Sequence, residues 1–149
     1  DIHTLLTMRS RLMTLRTGNI NHVRGLLAEY GQVMPKSPAQ FLKHVSDSIN
    51  NLEGEVDSLV IDMFRSLVEQ IKAGEDKLRE LDSEITKLAK PDYLAGSDAD
   101  KQQMADVLLA LTDADGNALY TEKTFAQWEK NAEKAAQAEP EEDPYALLR

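Results

Sequence analysis

The chain has 149 residues, a formal net charge of −9 and no cysteine, with aromatics at 5%. These values allow one helical domain with a core or two small units. They exclude a disulfide framework or a thiolate metal site, and they argue against non-specific nucleic-acid binding by the molecule as a whole. The absence of cysteine fits the cytoplasm. The charge is graded along the chain. Residues 1–50 carry six Arg and Lys against three Asp and Glu; residues 51–90 carry six against ten; residues 91–149 carry five against thirteen. Any phosphate backbone is therefore expected at the first segment.

The first helix is predicted from about Ile2 to Tyr30, with Leu5, Leu6, Leu12, Met13, Ile20, Val23, Leu26, Leu27 and Tyr30 on its apolar stripe. Gly31 is a natural C′ stop. Gly18 and Gly25 lie inside the helix, each costing roughly 1 kcal/mol against alanine. They are seven residues apart and so share a face, where a partner helix or a nucleic-acid backbone is expected to approach closely. Arg9, Arg16 and Arg24 also fall near one face, beside Arg11, Asn19 and Asn21. Their bland reading is a solvated basic face. Their functional reading is a phosphate-tracking face, with Arg9, Arg16, Asn21 and Arg24 as contact residues.

Pro35 and Pro38 break the chain. Ser37 and Pro38 then read as N-cap and N1 of a second helix carrying Phe41, Leu42, Val45, Ile49 and Leu52. Gly54 marks a joint. In the third segment Val60, Phe64, Leu67, Ile71, Gly74, Leu78, Leu81, Ile85 and Leu88 follow an unbroken 4-3 spacing, the pattern of a coiled coil or helical hairpin. Self-association through this seam is expected, and Pro91 is expected to end the helix.

Beyond Pro91, Ser97 to Asp100 resembles a capping box opening a helix with Met104, Val107, Leu108 and Leu111. Asp113, Asp115, Gly116 and Asn117 form turn chemistry. A calcium loop is excluded by spacing: counted from Asp113, glycine falls fourth and Thr124 twelfth. Thr121 caps a last helix with Phe125, Trp128, Ala132 and Ala135. The end, residues 140–149, is too acidic and proline-broken to fold alone. His3, His22 and His44 have no ligand spacing. No catalytic residue, metal site or cofactor is expected, and no run is apolar enough to span a membrane.

Arg16-Thr17, Asn21 and the run from Arg24 through Gly25-Leu26-Leu27-Ala28-Glu29-Tyr30 to Gly31, with Pro35 following, resemble the middle region of DEDD-type insertion-sequence transposases guided by a bridge RNA. The heptad helix ending at Lys90 falls where that family has its coiled coil. His22 stands where glutamine is expected, and the loop from Pro35 to Pro38 departs from the pattern. The resemblance covers residues 1–90. It implies an arm that dimerises and helps hold RNA or DNA. It carries over no catalytic residue: no position matches the family's acidic tetrad, and no Ile-Pro-Gly-x-Gly stretch follows the coiled coil. The stretch from Leu108 to Thr121 is weakly similar to phage tail-assembly chaperones.

The expected fold is therefore all-α: an elongated helical hairpin or coiled coil over residues 1–90, a small acidic helical segment over 91–139 and a disordered tail. The expected function is a non-catalytic transposase arm for self-association and guide-RNA contact. A helical assembly chaperone or structural adaptor of a phage or mobile element, binding protein partners, is the alternative. Chain start at Asp1, without methionine, reads as a fragment or a processed product.

Overall fold

The computed structural model describes residues 2–113 and 115–138. The tail expected to be disordered, from 140 to 149, lies outside them. The fold is all-α, with α1 (Ile2–Glu29), α2 (Pro38–Asn50), α3 (Ser58–Ala95), α4 (Asp98–Leu109) and α5 (Glu122–Gln137) in chain order. Among the described residues no helix is long and apolar enough to cross a membrane. The chain forms two compact units. Among the described residues, one comprises those up to Ala89 together with those between Thr112 and Asn117; the other comprises Lys90–Leu111 and those from Ala118 to Ala138. The acidic turn thus belongs with the first unit.

In the first unit, α1 ends where the glycine dictates. Gly31 takes φ +79°. The N–H of Gln32 donates to the Leu27 carbonyl and that of Gly31 to the Ala28 carbonyl, each at 3.0 Å, the two bonds of a Schellman stop. Ser37 caps α2 with Pro38 in the first turn, so the missing proline N–H is one that the helix start leaves unpaired in any case.

α1 and α3 run antiparallel. Arg16 meets Glu75 and Arg9 meets Asp82, while Tyr30 packs edge-on to Phe64 with ring centroids 6.2 Å apart. Numbers fall along one helix as they rise along the other. α2 closes the core, in which Ile20, Val23 and Leu27 pack with Phe41, Val45, Ile49, Ile61, Phe64, Val68 and Ile71. Burying each such side chain is worth about 1.5–3 kcal/mol.

The buried line of α3 differs from the expected seam by one residue in alternate positions. Phe64, Ile71, Leu78 and Ile85 are buried as expected. Their partners in the repeat are Ile61, Val68, Glu75 and Ala89, all buried, with Asp82 half-buried between them. Val60, Leu67 and Leu81 are half-buried beside this line, and Leu88 is 42% exposed. α1 supplies the facing line, with Arg9, Arg16, Ile20, Val23 and Leu27 buried. The seam is therefore occupied within the chain, and two of its layers are ionic.

Pro91 does not end α3, which continues to Ala95. A proline inside a helix costs on the order of 3 kcal/mol. The gain that offsets it lies in the second unit. There Tyr93, 8% exposed, stacks on Phe125 at 5.1 Å and meets Trp128 edge-on at 5.7 Å. Tyr120 joins the same aromatic cluster. Lys101 lies 5.6 Å over the Tyr93 ring and pairs with Glu129 at 2.9 Å. The hydrogen bond that Lys101 donates to Glu129 holds its pKa above the ordinary value, and burial raises that of Tyr93. The capping box expected at Ser97 is present, with Asp100 as its third residue.

Candidate nucleic-acid interface

α1 is the basic element, and its arginines are arranged by what they touch. Arg9 is 5% exposed. Its Nε donates to Asp82 Oδ1 at 2.6 Å, and a terminal nitrogen donates to the Thr112 carbonyl at 2.5 Å. One guanidinium thus joins α1, α3 and the returning segment 112–117. Arg16 is 7% exposed, with Nε 3.3 Å from Glu75 Oε1. That pair is held by charge, since neither atom makes a hydrogen bond. Arg24 sits at the end of the helix. It donates to Asn21 Oδ1 at 2.9 Å, to the Pro35 carbonyl at 2.9 Å and to the Lys36 carbonyl at 2.7 Å, and its guanidinium lies 5.9 Å over the Phe41 ring. It clamps the connection from α1 to α2.

The guanidinium groups of Arg9, Arg16 and Arg24, read from sequence as either a solvated or a phosphate-tracking face, are all engaged with partners of the first unit. Two buried arginines facing two carboxylates are a strong arrangement once made. Removing one member leaves an unpaired buried charge, at about 3–5 kcal/mol. Glu75 and Asp82 were not legible as partners from sequence. Their signal was the seven-residue spacing they share with Arg9 and Arg16.

Gly18 and Gly25 are exposed, and a Cβ at either would meet nothing within 4 Å. No other part of the described chain approaches them. They lie on an outer face of α1 with Thr7, Arg11, Thr14, Asn21 and Ala28, all exposed and spaced by alternating fours and threes. Between Ile2 and Ala28 the helix contains no Asp or Glu. This face carries hydroxyls, an amide and one arginine, with no carboxylate to repel a phosphate.

The acidic turn is a structural joint. Asp113 accepts the N–H groups of Asp115 and Asn117, each at 2.9 Å. The Asn117 bond is the main cause of an Asp113 pKa below the ordinary carboxylate value. Asp115 in turn accepts from Ser37 Oγ at 2.5 Å, tying the turn to the start of α2. Among the described residues no three His, Cys, Asp or Glu side chains cluster as a metal site needs.

A stretch of 45 residues is 42% identical to the transposase for insertion sequence element IS1111A of Coxiella burnetii (strain RSA 493 / Nine Mile phase I). A segment of this chain is transposase-related. The match covers 30% of this chain and 12% of that protein, so the chain spans a small part of the transposase that it resembles. No family model matches, and no solved structure matches.

Proposed function

We propose that this chain is a non-catalytic helical arm of an insertion-sequence transposase or recombinase, which pairs copies of the protein and contacts guide RNA or DNA. The observation that carries the reading is the 42% identity to a transposase over 45 residues. The carboxylate-free outer face of α1 supports the nucleic-acid part. On this face Arg11 and Asn21 touch phosphate, and Gly18 and Gly25 let the backbone come close. Arg9 and Arg16 act behind it, by fixing α1 on α3, and Arg24 by fixing the α1–α2 connection.

The test is binding of a structured RNA across a salt series. The wild type is expected to bind at low salt. Arg11→Ala weakens binding and flattens the log–log salt dependence by up to roughly 0.7–0.9 of a unit, since one phosphate contact is lost. Gly18→Leu weakens binding at every salt concentration while helicity is kept, because the side chain has open space in the fold. A wild type that binds no RNA at low salt contradicts the nucleic-acid role. An unchanged slope in Arg11→Ala moves the contact off this face.

A further inference from the structure

α2 and α3 line a cavity of about 200 Å³ in the first unit. That is several times the roughly 30 Å³ of one water molecule and below the about 300–1,000 Å³ of sites for drug-sized ligands. Two buried side chains, Ile49 and Val68, give it an apolar floor. The rim is polar: α2 contributes Ser46 and Asn50, and α3 contributes Arg65, Glu69 and Lys72, all exposed. Arg65 is committed, since it pairs with Glu53 and donates to Asn50 Oδ1 at 3.2 Å. That bond leaves the Asn50 NH2 group to donate elsewhere. Glu69 and Lys72 behave differently. They stand three residues apart on α3, the spacing at which the same helix closes Asp76–Arg79, Lys77–Glu80 and Glu84–Lys87 at 3.3, 3.4 and 3.1 Å. At the cavity the pair is open: neither Glu69 nor Lys72 makes an ion pair or hydrogen bond with a described residue.

We propose that this cavity binds a small α-amino acid. Its ammonium sits on Glu69, its carboxylate on Lys72 and the Asn50 NH2 group, and its short side chain over Ile49 and Val68. The inference is independent of the transposase reading. Charge order selects the ligand class. Glu69 lies between Arg65 and Lys72 along α3, so a simple anion drawn to the two cations meets a carboxylate, and a simple cation drawn to Glu69 meets both cations. A ligand with opposite charges on adjacent atoms satisfies Glu69 and Lys72 together, because these two are neighbours on one face of the helix. Little opposes it, since an exposed pair of this kind gains little from closing on itself. The Ser46 hydroxyl stands on the opposite rim as a donor or an acceptor for either end. Volume and floor set the side chain: a few aliphatic carbons cover Ile49 and Val68, and a large aromatic ring exceeds the space.

The test uses the full chain, with L-alanine as the probe, followed by backbone amide NMR shifts. The wild type is expected to show saturable shifts confined to residues 46–50 and 65–72. Acetate and methylammonium each carry one half of the recognised group, and each is expected to bind at least about tenfold more weakly, as the loss of one charged hydrogen bond implies. Inorganic phosphate is expected to do no better than acetate. Glu69→Gln and Lys72→Met each weaken L-alanine binding by a similar factor. Both positions are exposed, so the fold is kept, and unchanged helicity checks it. The comparison of probes on the wild type needs no variant. No saturable shift with L-alanine overturns the proposal. So does acetate or phosphate binding as tightly as L-alanine, which makes the cavity a plain anion site. Binding that survives both substitutions, or shifts that map away from these residues, overturns it as well. None of these outcomes bears on the RNA titration, which decides the nucleic-acid role separately.

Discussion

Arg16 and Glu75 show how far a single residue can mislead. Each type is among the least often buried, so each reads as surface when taken alone. Together they fill one layer of the α1–α3 seam. Gly74, next to them, is the opposite case, an apolar-seam position where an added Cβ would meet nothing within 4 Å. Gly74→Ala is therefore expected to raise the stability of the monomer by about 1 kcal/mol, read from urea unfolding at a dilution where copies do not pair. Gly96 contrasts with it. A Cβ there would lie 2.9 Å from Asp100 Cβ and 3.3 Å from the Asp92 carbonyl oxygen, so Gly96→Ala is expected to lower the melting temperature. Asp113 gives a pH prediction. Its pKa is lowered in the folded chain, so its contribution is complete above the ordinary carboxylate pKa and is lost as pH falls through the lower, folded value. Carboxyl NMR titration should show Asp113 protonating below the ordinary carboxylate pKa, and Asp113→Asn should remove this step.

At the scale of elements, periodicity located every helix, because each buries an apolar stripe and stripes are what a sequence displays. The stop at Gly31 and the cap at Ser37 were legible for the same reason, as local chemistry with one good solution. The register of α3 was harder to read. Its buried line passes through Glu75 and Asp82, whereas the neighbouring line through Leu81 and Leu88 is apolar but partly exposed. Hydrophobicity ranks the second above the first. Only the charges on α1, seven residues apart, identify the first. Pro91 misled because its effect on the helix is local, while Tyr93 and its aromatic neighbours hold the last turn from outside. Pro91→Ala is expected to stabilise the second unit, by on the order of 3 kcal/mol at most, measured as a shift in the thermal transition. Loss of stability would show that the proline fits a bend that the packing requires.

For the molecule as a whole, charge was the most informative global quantity, and its distribution said more than its total. The basic first segment is real, but much of its charge is turned inward onto α3, and the outer face of α1 is mostly polar and small. The return of 112–117 to the first unit was not legible. It depends on Arg9 reaching the Thr112 carbonyl and Asp115 reaching Ser37, contacts between residues far apart in sequence. That α1 closes the α3 seam of its own chain is tested most directly by a double-mutant cycle of Arg16→Glu and Glu75→Arg, followed by chemical unfolding over a hundredfold range of protein concentration. Each single exchange is expected to cost about 3 kcal/mol or more, and the double exchange to recover a substantial part of it. The coupling should be the same at every concentration, because both residues are on one chain. Additive losses, or a coupling that fades on dilution, would place Glu75 opposite another copy and contradict the intrachain hairpin.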